Sequence, residues 1–293
     1  PDAPTELGPA TLTMSEPQST PVQQPRRPTR PAPALVAPLP ERPTPPLPME
    51  APIGVGTAGL RRPWLVERSI ARDQLWSLLL ECGDRRCVRV AVIDGIGASA
   101  LVRWLSSEAH STVGAPSLSA QHHRYAGAGD GLGPMLGRHL RTVGLGLQEA
   151  EQRVRSFWDL RTTDVLVDMV APHPDSRSSP AARYATIHEV LQVRTRRRPA
   201  VVCLHDVQFG LEAIGLASHL KRVSDDLPVL LLLTVDRKKL DRRPAERRAL
   251  VALDAVELHL PAISPTGIRT IVEEQISLDP ESMRDLVANA KGD

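Results

Sequence analysis

A glycine-rich turn, Gly95-Ile96-Gly97, is the part of the sequence whose residue types point most directly to chemistry. It follows an apolar stretch and precedes Ala98-Ser99-Ala100, where a helical pattern begins. A glycine turn between a strand and a helix presents backbone N–H groups to an anion. The sequence therefore predicts a phosphate-binding turn that is formed by Gly95, Ile96, Gly97, Ala98, Ser99 and Ala100.

The pattern of a complete phosphate-binding loop, G-x-x-x-x-G-K-[ST], is not met by this turn. The pattern requires glycine at position 92 and lysine at position 98, where the chain has Val92 and Ala98. Because a hydrogen bond to a charged group contributes about 1.5–3 kcal/mol, we expect the missing lysine to weaken nucleotide binding about tenfold or more. Ser99 is kept as a candidate Mg²⁺ ligand, and its alternative role is that of a small residue in the first turn of a helix.

Two further polar positions end apolar stretches downstream. Asp206 follows Val201–Leu204 and His205, and Thr234 follows Val229–Leu233. Ligands of parallel sheets bind beyond the carboxyl ends of the strands, so Asp206 is the candidate to hold Mg²⁺ or to act on a water. Asp206 is also the one catalytic candidate, with helix capping as its alternative role, and Thr234 would contact the γ-phosphate. His205 is a poor ligand for Mg²⁺, and a buried position at the strand end is favoured for it.

The elements needed to position these residues follow from hydrophobic periodicity. Apolar or alternating stretches predict strands at 88–93, 117–121, 200–204, 229–234 and, at a sheet edge, 256–260. Helical patterns are found at 70–79, 101–109, 134–141, 147–170, 187–193, 211–222, 265–276 and 281–290. Ser69 is expected to cap the first of these helices. Residues 172–180 are expected to form a loop, and Ser264-Pro265 a helix cap. This order predicts an α/β fold in which a parallel sheet is covered by helices on both faces.

In these stretches the chain resembles the AAA/STAND-type P-loop ATPase domains of large bacterial signalling proteins, which are often fused to serine/threonine protein kinases. The resemblance covers about residues 62–293 and is carried by Trp64–Arg68, Asp94–Leu101, Val201–Phe209 and Leu227–Thr234. It implies a P-loop NTPase-like fold, ATP and Mg²⁺ as cofactors, and nucleotide binding at Gly95–Ala100 and Thr234. The chain departs from the family pattern at Glu67, Val92, Ala98, His205 and Asp236, which implies that binding of both cofactors is weakened.

We therefore expect a degenerate ATPase-like regulatory or scaffold module of a multidomain bacterial signalling protein, with weak or no ATP hydrolysis. One alternative is a functional, kinase-associated ATPase, in which Arg68, Arg103 or a partner's arginine supplies the missing charge. Another is an interaction protein that acts through its Pro-rich arm. The expected partners are other domains of the same polypeptide and signalling proteins, and oligomerisation is compatible with the sequence.

Composition separates two regions of the chain. The first 52 residues hold 16 of the 28 prolines, so residues 1–58 are predicted to be a disordered Pro-rich linker. Pro-x-x-Pro spacings within it, at Pro25–Pro28 and Pro43–Pro46, could dock to a partner. Residues 59–293 are predicted to form the ATPase-like domain, with an incomplete C-terminal lid.

Several other classes of site are disfavoured. The net charge of +2 does not indicate nucleic-acid binding, and no apolar run has membrane-spanning length. Three cysteines without metal-binding spacing suit a reducing cytoplasm, which is the expected location. The pair His122-His123 is expected at the surface, Asp130 has no visible partner, and the basic run 194–198 is expected to be a solvated loop.

Overall fold

The computed structural model describes residues 65–158, 161–172, 178–223, 225–275 and 280–290. The predictions for the Pro-rich linker, for Trp64 and for the end of the proposed lid at 291–293 lie outside these residues. No helix in the described ranges is long and apolar enough to cross a bilayer.

Five parallel strands form one sheet: β1 (Val88–Gly95), β2 (Ser117–Ala120), β3 (Ala200–Leu204), β4 (Val229–Val235) and β5 (Val256–Leu260). Their order across the sheet is β2-β3-β4-β1-β5, so β1 lies between β4 and β5. Every residue of β3 and β4 is buried, as expected for apolar strands covered on both faces. The predicted edge position of 256–260 is confirmed, because only Leu258 and Leu260 of β5 are buried.

Helices cover both faces of the sheet. Their bounds are α1 Ser69–Arg85, α2 Ala98–Val113, α3 Leu132–Leu140, α4 Leu147–Phe157, α5 Thr163–Val170, α6 Pro180–Arg194, α7 Leu211–Val223, α8 Arg237–Leu240, α9 Pro244–Val251, α10 Pro265–Gln275 and α11 Pro280–Ala290. One apolar layer packs α1 and α2 against the sheet, and the opposite layer contains α3, α6, α7 and α9. The predicted α/β, P-loop NTPase-like fold class is therefore confirmed.

Two helix boundaries predicted from the sequence are wrong. Ser69 does not cap α1, because Arg68 is the residue before the helix and makes no side-chain cap hydrogen bond. The helix predicted at 147–170 is divided after Phe157. Its second part begins where the carboxylate of Glu189 accepts hydrogen bonds from the backbone N–H and the hydroxyl of Thr162, at 3.2 and 2.8 Å. These bonds satisfy donors at a new helix start, which a local pattern does not reveal.

Other differences concern the extent of helices and loops. Residues 173–177 of the loop predicted at 172–180 lie outside the part of the chain that the structure describes. Pro180 belongs to α6 rather than to this loop, and the hydroxyl of Ser179 caps the helix by accepting from Ala182 N at 3.2 Å. The short helices α8 and α9 were not predicted. Arg194 belongs to α6 rather than to a solvated loop, and it lies 4.9 Å from the Trp158 ring centre. The cap predicted at Ser264 is confirmed, since its hydroxyl accepts from Gly267 N at 3.0 Å.

Candidate functional site

A cavity of about 670 Å³ opens at the carboxyl ends of the central strands. Its walls come from the end of β1, the start of α2, the ends of β3, β4 and β5, and α8. The lining residues are Asp94, Gly95, Ile96, Gly97, Ala98, Ser99, Ala100, Arg103, Asp206, Thr234, Val235, Asp236, Arg237, Lys238, Lys239 and His259. The structure thus brings together every position that the sequence analysis assigned to nucleotide or Mg²⁺ binding.

The turn after β1 is shorter than a phosphate-binding loop. β1 continues two residues beyond the predicted end at Ile93, because Asp94 pairs with Val235 of β4 and Gly95 with Leu260 of β5. Only Ile96 and Gly97 then separate the strand from α2. The backbone of residues 92–95 therefore belongs to the sheet, and it is not free to wrap around a phosphate.

The two glycines of the turn meet different constraints. Gly95 has φ 104°, and a Cβ at this position would overlap the carbonyl oxygen of Leu260. Gly97 has φ 86°, but a Cβ there would meet only the Arg68 side chain, at 3.8 Å. Both positions favour glycine through their backbone conformation, and Gly95 also because of the neighbouring strand.

Arg68 fastens the turn to the rest of the domain. Its buried guanidinium, with the residue 3% exposed, donates to the carbonyl oxygens of Ile96 at 3.1 Å and Pro261 at 2.7 Å. Burial lowers the pKa of this guanidinium. Arg68 does not line the cavity, so the expectation that it could replace the missing lysine is wrong for this structure. It is a positioning residue.

Glu67 attaches the same segment to α10. It has φ 57°, a conformation that glycine adopts readily and other residues rarely do. Its carboxylate accepts from the backbone N–H of Ser264 at 2.8 Å and from the Ser264 hydroxyl. These hydrogen bonds lower the pKa of Glu67. The side chain of Glu67, which a glycine would lack, thus connects this segment to the start of α10.

The start of α2 presents anion-binding donors to the cavity. Gly97 precedes the helix and has no side chain that could accept from its first turn. The backbone N–H groups of Ala98, Ser99 and Ala100 lie in that turn, where a helix leaves its donors without internal acceptors. Arg103 lies one turn further along and donates to Ser99 O at 3.3 Å. An anion at this end of the cavity would also be favoured by the helix dipole.

Asp206 is held by two amide side chains. Gln121 donates to its Oδ2 at 2.7 Å and Gln208 to its Oδ1 at 3.0 Å, while its own N–H donates to Thr234 Oγ1 at 3.1 Å. Asp206 precedes a short 3₁₀ helix, Val207–Phe209, without making a side-chain cap bond, so its alternative role as a cap is wrong.

Gln121 and Gln208 were missed as site residues by the sequence analysis, although Gln121 ends the strand predicted at 117–121 and Gln208 lies four residues beyond the strand predicted at 200–204. Gln208 is fully buried, and its Oε1 also accepts from Asp236 N at 3.1 Å. The two glutamines thus join the ends of β2, β3 and β4 in one hydrogen-bond network.

The histidines near this network are mainly structural. His205 is buried, as expected, and burial lowers the pKa of its ring. His122 is also buried and its Nδ1 lies 2.8 Å from His205 O, so the expectation of a surface pair is wrong for His122. His123 is exposed and pairs with Asp130 at 2.8 Å. Asp130 also accepts from Gly127 N, which corrects the expectation that it has no partner.

A charged network at the end of β1 was not predicted. The side chain of Asp94 is 7% exposed, and its Oδ2 accepts from His259 Nδ1 at 2.7 Å. Arg237 places Nε 3.4 Å from the other Asp94 oxygen and Nη2 2.6 Å from Glu257. The hydrogen bond to Glu257 and, to a smaller extent, the negative charge of Asp94 raise the pKa of Arg237. The sequence offered no local signal for them, since Asp94 and His259 are 165 residues apart.

Basic side chains outnumber acidic ones around the cavity. Arg103, Arg237, Lys238 and Lys239 face Asp94, Asp206 and Asp236. Lys239 pairs with Asp236 at 2.9 Å, and this contact lowers the pKa of Asp236. Within the described residues, Arg103 and Lys238 form no ion pair, so their charges remain available to a ligand.

The side chains present fit Mg²⁺ poorly. A magnesium site needs oxygen ligands, of which one or two are usually carboxylates. Asp94 is engaged by His259 and Arg237, Asp206 by two amides, and Asp236 by Lys239. The hydroxyl oxygen of Ser99 remains as an uncharged candidate ligand for a metal ion. Nowhere in the described ranges do three or more His, Cys, Asp or Glu side chains group in a way that could hold a metal ion.

No model of a known protein family matches the sequence, and a comparison with curated proteins finds no match. Among solved structures, the ORC2 protein of Aeropyrum pernix in its ADP form is 17% identical, with a TM-score of 0.43 over 73% of this chain and 53% of that chain. Cdc6p of Pyrobaculum aerophilum is 14% identical, with a TM-score of 0.43 over 73% and 51%. Drosophila ORC bound to DNA is 14% identical, with a TM-score of 0.39 over 71% and 32%. This chain spans about half the length of the first two, and similarity of this extent concerns the fold alone.

Proposed function

We propose that this chain is a degenerate P-loop ATPase-like module with weak or no ATP hydrolysis, which acts as a regulatory or scaffold element of a larger bacterial signalling protein. The observation that carries the proposal is the end of β1. Residues 92–95, which would form most of a phosphate-binding loop, are paired with β4 and β5. The site has therefore lost backbone donors as well as the lysine side chain at position 98.

The metal side of the cavity supports the same conclusion. Hydrolysis of ATP depends on charge neutralisation at the β- and γ-phosphates, which Mg²⁺ and a loop lysine normally share. Here Ala98 has no charge, and the carboxylate of Asp206 is occupied by Gln121 and Gln208. His205, at the position of the first acid, is buried and donates its backbone N–H to Ala120 O at 2.8 Å. None of these groups is prepared for phosphoryl transfer.

A regulatory or scaffold role is supported by the side-chain contacts that join the turn after β1 to the start of α10. Arg68 joins the turn to Pro261, and Glu67 joins the same segment to Ser264 at the start of α10. The turn and α10 are thus connected by side chains of the protein itself. Such a connection suits a domain whose arrangement serves other domains of the polypeptide or signalling partners in the cytoplasm.

Calorimetric titration with Mg-ATP and a steady-state phosphate-release assay test this proposal. We expect no steady turnover, and binding weaker than about 10 μM if it is detected at all. Binding tighter than that together with steady turnover would show a functional ATPase, the alternative associated with serine/threonine kinases, and would overturn the proposal.

A double reversion separates lost side chains from lost backbone donors. We expect the variant Ala98→Lys with His205→Asp to remain without turnover, because residues 92–95 stay in the sheet. Ala100→Lys is the matched control for a new lysine at the cavity, and thermal unfolding checks that each variant is folded. Turnover restored by the reversion but not by the control would show that β1 pairing does not limit hydrolysis.

A further inference from the structure

Four arginines surround the start and the exposed face of α9. They are Arg242, Arg243, Arg247 and Arg248, and none of them lines the cavity at the strand ends. The seven residues 242–248 hold one acidic residue, Glu246, whereas the net charge of the whole chain is only +2. Such a concentration of positive charge on a nearly neutral chain attracts a partner of opposite charge.

The packing of α9 directs most of these charges into solvent. Leu250 of α9 belongs to the core and is 8% exposed, so the opposite face of the helix points outward. Arg243 is held against the domain, because its guanidinium lies 4.8 Å from the Phe209 ring centre and 3.1 Å from Glu246. The other three arginines are exposed.

Two of the exposed arginines have no carboxylate partner. Arg247 Nη1 lies 3.9 Å from an oxygen of Asp241. Arg242 and Arg248 form no ion pair with any residue in the described part of the chain, and Arg248 Nε donates to the carbonyl oxygen of Pro244 at 3.2 Å. Carboxylates of a partner would therefore meet two cations that no internal ion pair neutralises.

A groove on the exposed face of α9 lies beside these charges. It encloses about 310 Å³, and its lining residues are Asp241, Pro244, Arg247, Arg248 and Val251. Positions 244, 247, 248 and 251 recur at helical spacing, which places them on one face of α9. Val251 is 72% exposed, so an apolar side chain bound in this α9 groove would remove apolar surface from water.

Nucleic acid and lipid fit this surface less well than protein does. Binding of nucleic acid depends on several unpaired cations and often on aromatic side chains that stack on bases. Arg243 and Arg247 already face carboxylates, and residues 237–251 include no aromatic residue. A lipid surface is bound by several inserted apolar side chains, and Val251 is the one large exposed apolar residue among residues 237–251.

We propose that the α9 groove docks an acidic protein segment, which inserts one apolar side chain between Pro244 and Val251. The carboxylates of the segment pair with Arg242 and Arg248. The inference rests on the proposed scaffold role, and it names the surface and the partner chemistry that this role would use.

Fluorescence anisotropy of the full chain with labelled probes tests the proposal. The probes are a short glutamate-rich peptide with one central leucine, the same peptide with serine in that place, and single-stranded DNA of equal charge. We expect the leucine peptide to bind about fivefold more tightly than the serine peptide, and more tightly than the DNA. Cosedimentation with vesicles that contain phosphatidylserine tests the lipid alternative. Absence of peptide binding, or preference for the DNA or the vesicles, overturns the proposal.

Two variants locate the contact. We expect Arg248→Gln to weaken binding of both peptides about threefold to tenfold, because it removes a charged donor. We expect Val251→Ser to weaken binding of the leucine peptide alone, because the two apolar side chains act as a pair. Arg153→Gln is the matched control, since Arg153 is exposed on α4 and lies outside the groove. Equal effects of Arg248→Gln and Arg153→Gln would show nonspecific attraction, and loss of both peptides in Val251→Ser would show that no side chain is inserted; either result overturns the proposal.

These outcomes remain distinguishable from failure of the proposed function. Steady ATP turnover would contradict the loss of hydrolysis whatever the peptides show. Absence of peptide binding without ATP turnover would leave the degenerate ATPase-like module standing and remove only the docking surface.

Discussion

Gly95 and Gly97 show how one residue type serves two purposes within a single turn. Gly97 provides the left-handed conformation that starts α2, whereas Gly95 also allows the chain to pass close to Leu260 of the neighbouring strand. The glycine that a sequence pattern assigns to phosphate binding is therefore required for packing of the sheet. Its presence is explained without any ligand.

The substitution Gly95→Ala tests this explanation. The added Cβ would overlap the Leu260 carbonyl, which is backbone and cannot move aside, so we expect the free energy of unfolding to fall by about 1–3 kcal/mol. Gly129→Ala is the control, because nothing lies within 4 Å of a Cβ at that position. Chemical denaturation measures both variants, and equal stabilities would contradict the packing role.

His139 makes stability depend on pH at a position far from the cavity. It accepts from Arg194 Nε at 2.9 Å, and burial, with the charge of Arg194, lowers its pKa to about 4. The unfolded pKa is 6.5, so the folded state prefers the neutral ring. This contribution to stability is complete above pH 6.5 and is lost as pH falls towards 4.

We therefore expect His139→Gln, which keeps an acceptor but does not titrate, to lose less stability on acidification. The free energy of unfolding of His139→Gln, measured relative to that of the parent chain, should increase by roughly 1–3 kcal/mol between about pH 7 and pH 4. Denaturation curves across this range measure it. A difference that stays constant with pH would show that His139 is not the group responsible.

At the scale of elements, the length of β1 determines what its carboxyl end can do. Pairing with β4 and β5 continues through Asp94 and Gly95, and the cavity begins only after these residues. Donors that a phosphate loop would direct at a ligand are thus part of the sheet. The start of α2 and side chains of α8 line the cavity beyond this point.

Hydrogen exchange can test this strand assignment directly. We expect the amides of Val92, Ile93 and Asp94 to exchange orders of magnitude more slowly than those of Ser99 and Ala100, since first-turn helix amides lack internal acceptors. Exchange resolved to single residues by NMR measures this. Fast exchange at 92–94 would mean that the loop is open, and it would also weaken the argument against hydrolysis.

Arg68 is the side chain that joins α1, the turn and the β5–α10 connection. Replacing it with Met leaves the carbonyl oxygens of Ile96 and Pro261 without donors, so we expect a loss of about 2–4 kcal/mol in the free energy of unfolding. Arg85→Met is the control, because Arg85 makes an exposed pair with Glu81, worth about 0.5 kcal/mol. Chemical denaturation compares the two, and similar losses would contradict the positioning role of Arg68.

At the scale of the whole molecule, composition divides the chain near residue 58, and this boundary remains a prediction. Digestion with a protease of broad specificity should cleave first within residues 1–58 and leave a resistant fragment that starts near Gly59. Mass spectrometry identifies the fragments. First cleavage within the described helices and strands would contradict the predicted linker.

Partner recovery after deletion of residues 1–58 would separately test the alternative that the Pro-rich arm carries the function.

The sequence by itself determined the fold class and the location of the cavity. Buried parallel strands appear as continuous apolar runs, as in Val201–Leu204 and Val229–Leu233, and ligands of such sheets bind at the carboxyl ends of the strands. Gly97, Asp206 and Thr234 could therefore be placed at one site although they are far apart in the chain. Residue types alone also showed the missing lysine at Ala98.

Only the tertiary structure decided where β1 ends and how the side chains of the cavity are engaged. Whether Asp94 and Gly95 pair with β4 and β5 depends on backbone hydrogen bonds to residues more than a hundred positions away, and such bonds have no local signature in the sequence. The same holds for Gln121 and Gln208 on Asp206, and for Arg68 on Pro261. Periodicity reports which face of an element is buried, whereas the partner of a polar group is set by the packing of distant elements.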